Sequence, residues 1–336
     1  MSKIILSDAT LRDGNHAVFH QLNKSMVEKY CKAVDRANVP IVEVGHGNGL
    51  GASSLQVGLA KESDHTLLST ARANLKNSKL GVHVIPGFAT IKKDLVPAVD
   101  IGVDVFRIAS HCTEADVTAK HIAFVREQNR EVFGVLMMSH MASVKTLAEE
   151  AMKMESYGAE TVIIMDSAGA YLPKDVKERI SALRDSLNCN VGFHGHNNLG
   201  MAVANSIVAV ESGATVIDGC ARGFGAGAGN TQLEVLVPVL EKEGYNTGVD
   251  LYKMLDAADI SEEYLMDVVP TISSTSIVSG LSGVFSGYLR RVNIVAKEYN
   301  VDPRDIFFLL GSKNVVAGQE DMIVEAAIEL RAKGKI

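Results

Sequence analysis

Two stretches far apart in the chain hold side chains of the types and spacing that bind a metal ion. In His194-Gly195-His196 the histidines stand at i and i+2, and on an extended strand both imidazoles then point the same way. Near the N-terminus, residues 6–21 (LSDATLRDGNHAVFHQ) gather Asp8, Arg12, Asp13, His16 and His20 where a short strand breaks into a loop. Asp13 is the carboxylate best placed to join the two histidines. Two imidazoles and one carboxylate form a facial set that leaves open positions for a substrate. With no thiolate among the donors, Mn²⁺, Mg²⁺ or Co²⁺ suits the set better than a structural zinc. Two satisfied core histidines would show the same HxH spacing, so the pair alone leaves that alternative open.

The elements that must bring these stretches together are short apolar runs alternating with longer amphipathic ones. Candidate strands cover residues 4–7, 41–44, 80–85, 103–109, 131–137, 161–165, 190–194 and 215–218. They are rich in Val and Ile and lack strict alternation, as expected of strands buried on both faces. Helix-like stretches lie between them, over 23–37, 114–127, 143–157, 173–185, 198–212 and 231–243. Asn23, Thr113, Ser143 and Pro173 are their candidate starts, and glycines in SYGAE and ESGAT are candidate stops. Eight strand–helix units predict a (β/α)8 barrel over residues 1–248, followed by a smaller helical C-terminal domain over 249–336. That domain has helix candidates at about 251–268, 277–299 and 320–333. In such a barrel the strand C-termini form the active rim. Here they carry Arg12 and Asp13, Glu43 and His46, Arg107, His111 and Cys112, Asp166 and Ser167, His194 and His196, and Asp218.

Composition narrows the class. A formal net charge of -7 argues against nucleic acid or an anionic membrane as the main partner. No apolar run is long enough to span a bilayer, and MSKIILSD runs straight into a strand without the pattern of a signal peptide. Cys31, Cys112, Cys189 and Cys220 have neither metal-site nor disulfide-framework spacing, which points to reduced thiols and a cytoplasmic protein. His111-Cys112 has the composition of a nucleophile pair, but adjacent strand-end residues point apart. GFGAGAGN lacks the lysine of a P-loop and reads as a turn closing the rim rather than a phosphate cradle.

The segments TLRDGNHAVFHQ, VGHGNGLGASS, RIASHCTEADV, GVLMMSHM, MESYGA, DSAGA, HGHNNLGMAVANSIVAV, GAGAGN and GQEDMIV, in this order, resemble the 4-hydroxy-2-oxovalerate (4-hydroxy-2-oxoacid) aldolases. These are metal-dependent lyases with a DRE-like motif on a TIM barrel, and the resemblance spans nearly the whole chain. It implies a TIM barrel with a helical C-terminal domain. It also implies reversible retro-aldol cleavage of a 4-hydroxy-2-oxoacid to pyruvate and a small aldehyde, as in aromatic hydrocarbon catabolism. An acylating aldehyde dehydrogenase is the implied partner, in a homo- or hetero-oligomer. The resemblance assigns Asp13, His194 and His196 to the metal, Mn²⁺ first, with His194 also beside the substrate. Arg12 is then expected to bind substrate and stabilise the enolate, His16 to act as general base, and Ser167 to contact the substrate carboxylate.

The departures fall on the aldehyde side. The family's GVYSS reads GVFSG, with Phe285 in place of a tyrosine that positions the substrate. Tyr288 follows three residues on and, were the segment helical, would share its face and offer a compensating hydroxyl. HGDG becomes His46-Gly47-Asn48-Gly49, and a leucine-rich third strand becomes VHVIPG with His83. An altered aldehyde specificity is the expectation. A Claisen-type synthase or acyl-CoA lyase on the same barrel, or a non-catalytic scaffold for a dehydrogenase, are the rival readings. The first would need acetyl-CoA, and the second would have no reason to keep Arg12, Asp13, His16, His194 and His196 together.

Overall fold

The computed structural model describes residues 3–334. Eight parallel strands close into a barrel in sequence order: β1 Ile5–Leu11, β2 Ile41–Val44, β3 Lys79–Val84, β4 Val105–His111, β5 Glu131–Met137, β6 Thr161–Asp166, β7 Asn190–Gly195 and β8 Val216–Gly219. All eight expected strands are present, with ends displaced by a few residues at most. Closure is completed by β1 against β8, with Ile5 opposite Val216 and Ser7 opposite Asp218. The barrel's lower interior is packed by Ile41, Val105, Phe133, Val135, Ile163 and Val216. Burying a side chain of this size removes enough apolar surface to contribute about 1.5–3 kcal/mol. The opposite faces of the strands pack on the surrounding helices to form the main core.

The helices begin and end for local reasons. Asn23 and Ser143 accept hydrogen bonds from the Met26 and Thr146 amides, and Pro173 opens its helix at the first position. Gly158 ends Val144–Tyr157 in the left-handed region at φ 113°. Thr113 does not cap a helix. Its hydroxyl pairs with His111 Nδ1 at 2.9 Å, and a 3-10 turn Ala115–Thr118 precedes the helix Ala119–Glu127.

Beyond the barrel, the helix Leu251–Leu265 packs against Lys24–Arg36 on the barrel's outside. Its Met254, Ala257, Ala258 and Leu265 belong to the main core. A second core starts at Val278 and joins Ser274–Leu281, Leu289–Tyr299, Pro303–Ser312 and Asp321–Ala332 around Val292, Phe307, Leu310 and Ile323. The expected continuous helix over 277–299 is therefore two helices. Gly283 takes φ 64°, and the chain turns through Val284 and Phe285 before a 3-10 turn Ser286–Tyr288. The Ser- and Gly-rich composition that favoured close packing also made the break inexpensive.

Hydrogen bonds tie this unit to the barrel mouth. Ser286 N–H donates to the Ser167 carbonyl at 2.9 Å, His140 Nε2 lies 2.8 Å from the Gly283 carbonyl, and Gln56 Nε2 donates to the Gly318 carbonyl at 2.8 Å. They hold Phe285 over the strand ends.

Candidate metal centre and active site

The closing of β1 against β8 and β8 against β7 brings Asp13, His194 and His196 together, all buried, with one ligand atom from each lying within 4.8 Å of the others. Nε2 of His194 is 4.0 Å and Nε2 of His196 is 3.9 Å from Asp13 Oδ2. The surroundings fit a divalent cation. Burial alone would raise the Asp13 pKa, but Arg12 and the neighbouring histidines hold its carboxyl well below the usual carboxylate range. Burial pushes His196 down to about 3, so its ring is neutral and able to donate a lone pair. His194 Nδ1 donates to Asp218 Oδ2 at 3.0 Å, which fixes the tautomer and turns the Nε2 lone pair toward Asp13. Cys220 lies 3.4 Å from the Asn230 amide, but burial raises its thiol far above neutrality, so no thiolate competes.

Asp13 is set by its own neighbours. Gly14 has no room for a side chain, since a Cβ would collide with the Phe224 ring, and a Cβ on Gly225 would come within 2.7 Å of Asp13 Oδ2. Arg12 Nη1 donates to Asp13 Oδ1 and Nε to Glu43 Oε2, each at 2.9 Å, while Nη2 is buried without a protein partner. That unpartnered guanidinium N–H beside the cluster is a ready donor for an anionic oxygen. On its other oxygen, Glu43 faces Arg107 Nε at 3.4 Å, and Arg107 forks onto Asp218 with Nη1 donating to Oδ1 at 2.8 Å.

His16 follows one turn later. Its ring rests against Gly47, where any Cβ would come within 2.6 Å, and it meets Phe285 edge-on with centroids 6.0 Å apart. Burial pushes its pKa down to about 4 against the pull of Asp13, so the ring is a free base near neutrality. It borders a cavity of about 440 Å³ between the barrel mouth and the C-terminal helices, lined also by Phe19, His20, Phe285, Tyr288 and Arg290. Phe19 and His20 take φ 52° and 61°, a left-handed pair of non-glycine residues that bends this loop back under the mouth. His20 stacks on His46 at 3.6 Å between centroids and accepts from the Gly47 amide.

Ser167 Oγ accepts from the Met138 amide at 2.9 Å, while its own hydrogen has only a 3.5 Å approach to the Met165 carbonyl. Tyr288 does not offer its hydroxyl to the mouth. It donates to the Val316 carbonyl at 2.6 Å and accepts from the Gln319 amide at 2.9 Å, which removes the expected compensation for Phe285. Burial pushes Cys112 up to about 12, and its sulfur stays 3.8 Å from His111 Nδ1, which gives no support to a nucleophile pair. The GFGAGAGN turn folds back on β7, with Asn197 N–H donating to the Gly229 carbonyl.

Asn230, at the end of that turn, escaped sequence reasoning. Its amide donates to Asp13 Oδ2 and lies 3.4 Å from His194 Nε2, with Oδ1 buried and unpartnered. An uncharged side chain gives no composition signal. The glycines around it, which allow the turn to press on Asp13, were the available hint.

Against this geometry, comparison with known proteins is direct. Residues 3–260 match the HMGL-like family and residues 270–332 the DmpG-like communication domain. A 4-hydroxy-2-oxovalerate aldolase of Spirochaeta aurantia is 62% identical over 331 residues, 98% of this chain and 97% of that one. The chain belongs to the 4-hydroxy-2-oxovalerate aldolase family. Its class is therefore that of the carbon–carbon lyases. A Pectobacterium atrosepticum protein of the same name is also 62% identical, over 99% of this chain and 97% of its own. Among solved structures, the carboxyl transferase domain of Rhizobium etli pyruvate carboxylase superposes with a TM-score of 0.82 at 16% identity, covering 98% of this chain and 60% of that one, and shares the fold. No helix among the described residues is long and apolar enough to cross a membrane.

Asp218 should matter to metal affinity without touching the ion. Asp218→Asn is expected to weaken binding of a divalent ion about 10–100-fold, measured by isothermal titration of the metal-free protein with Mn²⁺. Unchanged affinity would show that the His194 tautomer is set elsewhere.

Proposed function

We propose that the chain reversibly cleaves a 4-hydroxy-2-oxoacid such as 4-hydroxy-2-oxovalerate to pyruvate and an aldehyde. The observation that carries this reading is the convergence of the Asp13/His194/His196 cluster, the free Nη2 of Arg12 and the neutral ring of His16 on one mouth. Its relatives' names agree with it. Asp13, His194 and His196 would hold a divalent ion, Mn²⁺ first, which supplies Lewis-acid stabilisation to the substrate's carboxylate and oxo oxygens when bound.

In cleavage the 4-hydroxyl gives its proton to His16 as the C4–O bond becomes a carbonyl. The C3–C4 bond breaks and its electron pair passes through C3 onto the 2-oxo oxygen. Arg12 meets that developing charge with Nη2, already fixed by Glu43 and Asp13, so no reorganisation is needed. The Ser167 hydroxyl hydrogen, held only by its 3.5 Å approach to the Met165 carbonyl, turns to the substrate carboxylate. C3 then takes up a proton to give pyruvate, and the aldehyde leaves past Phe285. The reading includes a cytoplasmic enzyme with the C-terminal unit lining the site and facing an acylating aldehyde dehydrogenase, which the match to a communication domain supports.

Phe285 bears on the aldehyde. Its ring meets that of His16 in a T-shaped contact, and Tyr288 turns its own hydroxyl away to the Val316 carbonyl.

His16→Ala is expected to lower kcat for metal-dependent cleavage of 4-hydroxy-2-oxovalerate about 100–10,000-fold, followed through pyruvate release, with Mn²⁺ affinity retained. A loss of less than tenfold would remove His16 as the base. Phe285→Tyr is expected to change the accepted aldehydes or the stereochemistry at C4, read by chiral separation of condensation products. If both stay as in the unsubstituted enzyme, Phe285 does not set specificity.

A further inference from the structure

The mouth opens in two directions. His16, Gly287 and Arg290 border both the cavity of about 440 Å³ and a second one of about 190 Å³, whereas Phe285 lines only the larger. The smaller lies between the Gly225–Gly227 turn and the segment 268–273, which joins the helices Leu251–Leu265 and Ser274–Leu281. Its rim is exposed at Val268, Thr271 and Ser273. Its inner end reaches His16 and Gly225, where a Cβ would come within 2.7 Å of Asp13 Oδ2. The cavity therefore runs from solvent to the flank of the metal cluster. The glycines of GFGAGAGN give it a wall without side chains. A Cβ on Gly227 would meet Ser286 at 2.9 Å, and one on Gly229 would come within 2.9 Å of Pro270.

Charge distinguishes the two cavities. The larger carries both signs, with Arg290 and Arg291 against Glu320 and Asp321. Among the described residues that line the smaller, Arg290 alone is ionised, since His16 is neutral. Its guanidinium has no hydrogen-bond or ion-pair partner among the described residues. It lies 4.4 Å over the Phe19 ring, and Asp267 is the acid whose charge it feels. Helix stability does not call for it either, because on the first turn of Leu289–Tyr299 a cation opposes the helix dipole. A half-buried arginine held by so little is suited to meet a passing carboxylate.

The two products of aldol cleavage differ in the same property. The 4-hydroxy-2-oxoacid and pyruvate are anions, and the aldehyde is uncharged. A chain of net charge -7 repels an anion at long range, and a cation in a narrow opening reverses that locally. We propose that the smaller cavity is the passage for the oxoacid and pyruvate, with Arg290 drawing the carboxylate in, so that the anions and the aldehyde use separate openings. The assignment rests on the aldolase reading and adds to it an entrance and the residue that serves it.

The test follows cleavage of 4-hydroxy-2-oxovalerate, and condensation of acetaldehyde with saturating pyruvate, by the Mn²⁺-loaded full chain at low and high salt. Arg290→Gln is expected to lower kcat/KM for the oxoacid about tenfold at low salt, through KM, with kcat within about twofold. It should also flatten the fall of kcat/KM with ionic strength. Arg290→Lys is expected to recover most of the loss, and kcat/KM for acetaldehyde should stay within about twofold in both. Two exposed positions locate the passage without touching Arg290. Thr271→Glu, at the smaller opening, is expected to raise KM for the oxoacid about threefold or more, and Leu55→Glu, at the larger, by less than about twofold. Equal effects of these two, or an unchanged KM in Arg290→Gln, overturn the assignment. So does an equal fall in kcat or in kcat/KM for acetaldehyde, which would make Arg290 a support for the loop through Phe19. Absence of cleavage by the unsubstituted chain overturns the aldolase reading and this assignment together, whereas the variants' results bear on the passage alone.

Discussion

A buried chain of alternating charge runs through the barrel and begins and ends at the same cluster. Asp13 holds Arg12, Arg12 holds Glu43, Glu43 faces Arg107, Arg107 forks onto Asp218, and Asp218 accepts from His194, whose other nitrogen faces Asp13 again. Each of these groups is nearly or wholly sealed from solvent. A single unpaired charge there would cost several kcal/mol, so the members can exist only as a set. The arrangement is no source of net stability, since apolar residues would fill the same volume well. What it supplies is fixed geometry: Arg12 cannot swing away from Glu43, and His194 cannot exchange its tautomer. The rest of the mouth depends on that rigidity.

The division of labour between the chain's two parts follows from it. Strands carry Glu43, Arg107, His194 and Asp218, while Arg12 and Asp13 follow directly on β1, and parallel strands place side chains at the rim with little freedom. The groups around the cavity at the mouth come instead from loops and from the helical unit, through Phe19, His20, Phe285 and Arg290. The helical unit is held there by hydrogen bonds such as Ser286 N–H to the Ser167 carbonyl rather than by a charge network. On the proposed aldolase reading, change of aldehyde is therefore easier for this architecture than change of the pyruvate half.

Much of the fold was legible in the sequence because both-face burial leaves Val- and Ile-rich runs, and glycines such as Gly158 mark the helix ends. The HGH spacing read correctly as two imidazoles on one side of a strand, and Asp13 lies beside them because β1 and β7 both flank β8. Four features were not legible. The break at Gly283 was hidden in a stretch whose periodicity allows one long helix. Tyr288 matched the spacing of a compensating hydroxyl, but the 316–319 turn claims it, a contact between segments separated by a whole helix pair. Glu43 and Asp218 were visible as rim carboxylates, but their work is to pair with arginines from other strands, and Asn230 has no charge to announce it. Pairing across strands is a property of register, which no single segment records.

The central claim is that the Asp13/His194/His196 cluster and Arg12 stabilise negative charge on the oxo oxygen of pyruvate, whatever aldehyde follows. Deuterium exchange at C3 of pyruvate, followed by proton NMR in D₂O, isolates that step from the aldehyde. Exchange should be rapid in the Mn²⁺-loaded protein, cease on chelation, and be absent in His196→Ala. Metal bound at the cluster with no exchange above the protein-free rate would contradict the account.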